Sequence, residues 1–203
     1  FIMIITVATA NNGKIREIEK IFPASSGVRV IPMSVVRQLN IPEENGTTFS
    51  ENAVIKARAA AEIFSTHIIA DDSGLVVDAL NGEPGIYSAR YMNLKTDSER
   101  NSALIEKMEN IPDDKRTARF VCAIAHISPD GVLAVFEASC EGIIAKIPAG
   151  SGGFGYDPVF YLPEYNKTIA EIPSELKNTI SHRARALRLF AESYNETYGE
   201  LCV

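Results

Sequence analysis

The chain has 203 residues, 46% of them hydrophobic and 23% charged, an ordinary balance for one compact globular domain. Its formal net charge of −6 argues against a general nucleic-acid binder, which carries a basic excess, but leaves room for a small anionic ligand on a local basic cluster. Three cysteines, widely spaced and without a CxxC, give no disulfide framework or zinc site and fit a reducing cytoplasm, and no apolar run approaches the length of a membrane span.

The opening "FIMIITVATA" lacks the basic flank of a signal peptide, and its β-branched run predicts a buried strand over 2–9. "NNGKIREIEKIF" follows as a helix, with Ile15, Ile18 and Phe22 on one face and Asn11 as N-cap. Residues 23–46 read as strand and loop with prolines. "TFSENAVIKARAAAEIF" is a helix opened by a capping box of Thr48 and Glu51, with Ala53, Ala57, Ala60 and Phe64 on one face. "HIIADD" and "GLVVDAL" predict two short strands flanking the acidic pair Asp71 and Asp72. "NGEPGIYSARY" is a loop leading to another helix, and "TDSERNSALIEKM" a helix with a second capping box, Thr96 and Glu99. "TARFVCAIAHI" and "GVLAVFEASCEGIIAKI" are long strands around the turn signal "SPDG", a hairpin. "SHRARALRLFAESY" closes the series as a helix behind Ser181 as N-cap, with Ala184, Leu187, Ala191 and Tyr194 on one face. No repeat or linker interrupts the order, which mixes helix-linked strands with a hairpin: an α/β fold with a mixed sheet.

Four places carry chemistry. Cations are unfavourable at a helix N-terminus, yet Lys14 lies in the first turn of the first helix, and His182 and Arg183 open the last. Such placement suits an anion or an acceptor-rich ligand, the alternative being solvated charge. The pair Asp71-Asp72, read as ending a strand before Ser73 and Gly74, lies where α/β sheets build sites. A hard cation such as Mg²⁺ takes one or two protein carboxylates plus waters and substrate phosphates, and a neighbouring carboxylate can accept a proton from water. A turn cap is the structural alternative. Glu51 is accounted for by the helix cap, which leaves Glu43 of "NIPEENG" as the freer partner carboxylate. "GSGGFGYDPVF" over 150–160 formally matches GxGxxG, but Pro158 and β-formers follow it instead of a helix, so it is not a dinucleotide motif. A glycine loop with Phe154 embedded in it suits stacking on a planar ring, or else a hairpin with Phe154 in the core. His67 and His126 read as ordinary strand residues, and Cys122 and Cys140 as small buried apolar groups.

These residues together resemble the inosine triphosphate pyrophosphatase family, the Ham1-like or RdgB-like non-standard purine NTP pyrophosphatases. "TANNGK", "TFSENAVIKA", "ADDSGLVVDALNGEPGIYSARY", "GGFGYDPVF" and "ISHRARAL" are similar to its signatures, in order and over nearly the whole chain. The resemblance implies one domain over 1–203 with an elongated mixed β-sheet, flanking helices and two lobes around a central cleft. It implies a cytoplasmic homodimer, acting on neither nucleic acid nor membrane, that cleanses the nucleotide pool. Its reaction would be Mg²⁺-dependent hydrolysis of ITP, dITP and XTP to the nucleoside monophosphate and pyrophosphate. It makes Asp72 the general base and a metal ligand, Glu43 the second metal carboxylate, and Asp71 a supporting group. Thr9, Ala10, Asn11, Asn12, Gly13 and Lys14 would bind phosphates with Lys56 nearby, and Ser73 would touch substrate. Phe154 would stack on the base in a pocket shaped by Gly155, Tyr156 and Asp157. Lys177, His182 and Arg183 would bind the nucleotide, the last two donating to a purine 6-oxo group and so rejecting adenine. Three rival readings follow from the same residues. One is a Maf-like pyrophosphatase, which the "SHR" and "GFGYDP" segments disfavour. The second is a non-catalytic nucleotide sensor, and the third a nucleic-acid module, which the net charge disfavours.

Overall fold

Parallel strands joined by helices open the chain. In the computed structural model, which describes residues 2–23, 26–33 and 42–198, β1 (Met3–Val7) leads through α1 (Asn12–Ile21) to β2 (Val28–Pro32). After α2 (Phe49–Ala61) comes β3 (His67–Val77). β1 pairs in parallel with both strands, Ile5 opposite Val30 and Val7 opposite Ile69, and each crossover contains a helix, as parallel neighbours require. α3 (Asp97–Lys107) precedes the pair β4 (Thr117–Ile127) and β5 (Leu133–Ile144). Two short antiparallel strands, β6 (Phe160–Leu162) and β7 (Lys167–Thr168), then lead to α4 (Ser174–Ile180) and α5 (His182–Tyr198). The seven strands form one open mixed sheet in the order β2-β1-β3-β4-β5-β6-β7.

Local signals set many of these boundaries. Asn11 Oδ1 accepts the Gly13 and Lys14 N–H groups at 2.8 and 3.1 Å, so α1 begins where its cap satisfies two orphan donors. Thr96 and Glu99 form a complete capping box on α3. At α2 the reciprocal arm moves by one residue: Thr48 caps Glu51 N–H, while Glu51 Oε2 takes the N–H and hydroxyl of Thr47. Those bonds hold the Glu51 carboxyl below its usual range. The turn between β4 and β5 closes through Gly131 N–H on the Ser128 carbonyl and Ser128 N–H on that of Val132. The stretch "NGEPGIYSARY", expected as a loop, folds as short 3₁₀ segments and leads to α3. α2 ends at Ala61, before Phe64. Cys202 and part of the proline-containing stretch after β2 lie outside the described residues.

The chain divides into two compact units. One holds residues 1–72, 122–138 and 183–203. Its core joins Ile5 and Val7 of β1, Ile18 and Ile21 of α1, Ile69 of β3, Cys122 and Ile124 of β4, and Leu187 and Phe190 of α5. Each such side chain, fully buried, contributes roughly 1.5–3 kcal/mol. In this unit His67 stacks on His126 with ring centroids 5.3 Å apart, and burial together with His67 lowers His126 to about 4. The other unit holds residues 73–121 and 139–182, with a core of Leu75, Leu104, Met108, Phe120, Ile144, Val159 and Phe160. Buried Arg116 binds this unit together by donating to the carbonyls of Ile144 at 2.8 Å, Met108 at 2.6 Å and Ala145 at 3.2 Å. No helix among the described residues is long and apolar enough to cross a membrane.

Candidate active site

The acidic pair does not end a strand. β3 runs unbroken from His67 through Asp71 and Asp72 to Val77, correcting the expected two short strands. The extended backbone tolerates both carboxylates because successive side chains alternate between faces. Asp71 and Asp72 therefore lie on opposite sides of the sheet, and each pairs directly with a different lysine.

Asp71 is completely enclosed. Its carboxylate pairs with Lys14, accepts Arg183 Nε at 2.8 Å and accepts the Cys122 thiol at 3.0 Å. Burial alone would raise its pKa, but Arg183 and Lys14 outweigh burial and hold it well below the usual range. Arg183 also pairs with Glu17 of α1. Arg183 is only 1% exposed, and it and Lys14 balance Asp71. Cys122 is buried as predicted, and its thiol is pushed up by burial and by Asp71.

Asp72 faces α2. Lys56 Nζ donates to Asp72 Oδ1 at 2.9 Å and to Glu44 Oε1 at 2.7 Å. Burial disfavours the charge on Lys56, but Asp72 and Glu44 outweigh it, so its pKa is raised. At Asp72 the balance is opposite: burial raises its pKa by more than Lys56 and Lys14 lower it. Its Oδ2 is buried with no hydrogen-bond partner among the described residues. The structure thus offers one ammonium to two carboxylates and leaves a buried carboxylate oxygen with bonding capacity to spare. That donor set fits a hard dication, which takes few protein oxygens and completes its shell with water and phosphate. No cluster of three or more His, Cys, Asp or Glu side chains suited to a metal occurs among the described residues. Glu43, the expected second carboxylate, is exposed, whereas its neighbour Glu44 is the one on Lys56. Glu51 is taken up by the start of α2.

The start of α1 supplies the remaining predicted groups of this unit. Thr9 is buried and its hydroxyl accepts Asn11 N–H at 3.1 Å. Ala10, Asn11 and Asn12 are exposed, and Gly13 is buried.

The second unit holds the glycine loop. Phe154 is half-buried outside the core. Asp157 organises the turn around it: Oδ2 accepts Phe154 N–H at 2.9 Å and Lys177 Nζ at 2.5 Å. Lys177 Nζ lies 5.0 Å from the Phe154 ring centroid. α3 fixes the next residue, Asp97 accepting Gly155 N–H at 2.7 Å and Asn101 donating to the Gly155 carbonyl at 3.1 Å. Tyr156 is buried and donates to the Ser88 carbonyl at 3.0 Å. His182 is buried with its ring stacked 4.8 Å from Phe120. Ser73 begins this unit and is half-buried. Gly153 has φ +74°, and a Cβ there would lie 1.8 Å from Asp157 Oδ2. Gly153→Ala will therefore cost about 1–3 kcal/mol through backbone strain and loss of the Asp157 bonds. The urea midpoint measures it, and a wild-type midpoint would contradict this role for Asp157.

Sequence reading missed Glu17, Glu44, Asp97 and Asn101. Asp97 and Asn101 lie four residues apart on one helix face, but such spacing is common on solvated helices and did not mark them. Nothing local distinguished Glu44 from Glu43.

The chain matches the Ham1 family over residues 5–193. It is 50% identical over 196 residues to the dITP/XTP pyrophosphatase of Geobacillus kaustophilus, covering 96% of each chain. To that of Listeria monocytogenes it is 48% identical over 185 residues, 91% of each. The structure of the Staphylococcus aureus Ham1 protein superposes with a TM-score of 0.82 at 44% identity, covering 95% of this chain and 98% of that one. A HAM1 protein from Coxiella burnetii gives a TM-score of 0.85 at 38% identity, over 97% and 100%. A mixed sheet built around a buried, cation-matched acidic pair and a match along nearly the whole sequence lead to one conclusion: the chain belongs to the Ham1 family.

Proposed function

We propose that the protein is a Mg²⁺-dependent pyrophosphatase that hydrolyses dITP, ITP and XTP to the nucleoside monophosphate and pyrophosphate. The observation that carries this reading is Asp72: a buried carboxylate with a raised pKa, one oxygen held by Lys56 and the other without a hydrogen-bond partner among the described residues. The names of the relatives, dITP/XTP pyrophosphatases, support the substrate class.

Asp72 Oδ2 accepts the proton of the attacking water. The water oxygen bonds to the α-phosphorus, the bond from that phosphorus to the bridging oxygen breaks, and pyrophosphate leaves. Lys56 keeps Asp72 in one orientation and tethers the acidic loop through Glu44. Asp72 and Glu43 would hold the Mg²⁺, which when bound would neutralise phosphate charge. Thr9, Asn11, Lys14 and the amides of Ala10, Asn12 and Gly13 receive the phosphates, and Ser73 contacts the substrate beside the base.

Phe154 stacks on the purine, in a loop shaped by Gly155, Tyr156 and Asp157. Lys177, His182 and Arg183 bind the nucleotide, and His182 and Arg183 supply the donors that a 6-oxo purine satisfies and an adenine 6-amino group does not. Arg183 also balances Asp71. We place the enzyme in the cytoplasm as a homodimer acting on free nucleotides, in keeping with the family resemblance.

Pyrophosphate release from dITP, ITP, XTP, ATP and GTP, with Mg²⁺ and with excess EDTA, tests the reading. The expected outcome is turnover of the first three that EDTA abolishes, with ATP slower by about 10⁴-fold, as a site built on hydrogen bonds discriminates. Equal turnover of all five would overturn the base assignment while leaving the Asp72 chemistry standing.

A further inference from the structure

The geometry points to Asn52 as the positioning residue that sets the acidic loop at Glu43 and Glu44 against Asp72. This inference rests on the reading of Asp72 and that loop as a metal site.

Asn52 lies in the second turn of α2 and is 0% exposed. Its Oδ1 accepts the Gly46 N–H at 2.9 Å. An amide nitrogen cannot accept that bond, so the orientation of the side chain is fixed by Gly46. Its Nδ2 is buried with no partner among the described residues. Burying an amide with half its bonding capacity unmet is unfavourable, and asparagine is a poor interior helix residue. An alanine like Ala53 or Ala57 beside it would carry neither cost. The polar contact that remains is the one to the loop.

That contact is one of two. Lys56 lies four residues on, so it shares a helix face with Asn52, about 6 Å further along the axis. Lys56 grips the loop at Glu44, and Asn52 grips it at Gly46. Both grips come from a single rigid helix, and the same Lys56 holds Asp72. The loop carboxylates and Asp72 are thus referenced to one element. Gly46 fits the grip closely: a Cβ there would stand 2.7 Å from Asn52 Oδ1 and 2.8 Å from Glu51 Cβ. Asn52 acts on the carboxylates through the backbone and touches no reacting atom.

The test measures Mn²⁺ binding to the protein without nucleotide, from the free Mn²⁺ resonance signal, in wild type, Asn52→Ala, Gly46→Ala and Asn52→Asp. Thermal midpoints are recorded alongside. Asn52→Ala removes the grip from the helix side and Gly46→Ala forces it open from the loop side. Both are expected to weaken Mn²⁺ binding about tenfold, the usual effect of losing an outer-shell support, and to raise the Mg²⁺ concentration for half-maximal turnover in parallel. Asn52→Asp keeps an oxygen facing Gly46 N–H and is expected to bind more tightly than Asn52→Ala. Wild-type Mn²⁺ affinity in a folded Asn52→Ala or Gly46→Ala protein would overturn the role of Asn52, as would an Asn52→Asp protein no better than Asn52→Ala. No Mn²⁺ binding by wild type would instead overturn the metal-site reading beneath it.

Discussion

Asp72→Asn will lower kcat by about 10³-fold, within the range that a positioned general base contributes, and the protein will be no less stable for it. The two halves of this result have one cause. Burial raises the Asp72 carboxyl above its ordinary value of 3.8, and Lys56 and Lys14 offset only part of that. A carboxyl whose pKa is raised on folding stabilises the folded state below its unfolded value, and that stability is lost as pH rises through the folded value. At neutral pH in metal-free protein, ionised Asp72 is therefore a net cost, which asparagine removes. Lys56 retains Glu44 as a partner in the variant. Urea unfolding in EDTA at pH 7 should give a midpoint equal to or above wild type. A lower midpoint would mean that Asp72 is a structural ion-pair partner, and undiminished turnover would remove it from the chemistry.

Asp71→Asn has the opposite balance. The residue beside Asp72 in sequence faces the other side of the sheet, where Lys14 and Arg183 compensate it and Cys122 donates to it. Removing its charge leaves two cations facing a neutral amide, one of them a guanidinium that is 1% exposed. Breaking a buried pair from one side costs about 3–5 kcal/mol, and that is the expected loss in urea at pH 7. The sign follows from its pKa, held well below 3.8. Its stability is present above that value and fades as pH falls below it toward the folded value. The gap between wild type and Asp71→Asn should therefore be constant from neutral pH down to about 5 and narrow below 4. A gap that does not change with pH would show that asparagine acts through packing instead of charge.

The contrast between these two neighbours also shows what the sequence could and could not convey. Signals confined to a few residues were legible. Asn11, Thr48 and Thr96 cap the helices they were expected to cap, and "SPDG" turns β4 into β5. Lys14 was marked by its place in the first turn of α1, whereas Lys56 came from the family resemblance alone. The break expected at Asp71-Asp72 was an error of a specific kind. Two adjacent carboxylates look costly when read as neighbours along the chain, but a strand places them on opposite faces. Their partners come from α1, α2 and α5, far away in sequence. Nothing near position 183 reveals that Asp71, 112 residues earlier, takes its Nε. Glu43 and Glu44 differ only in which one a folded loop turns toward Lys56. Gly46 and Asn52 are six residues apart, yet their contact is visible only once the loop has folded back on α2.

The most direct measurement is the identity of the products from dITP with Mg²⁺. Equal amounts of dIMP and pyrophosphate, formed by wild type and lost in Asp72→Asn, are the predicted result. Formation of dIDP and phosphate, or turnover that survives Asp72→Asn, would contradict attack at the α-phosphorus with Asp72 as the base.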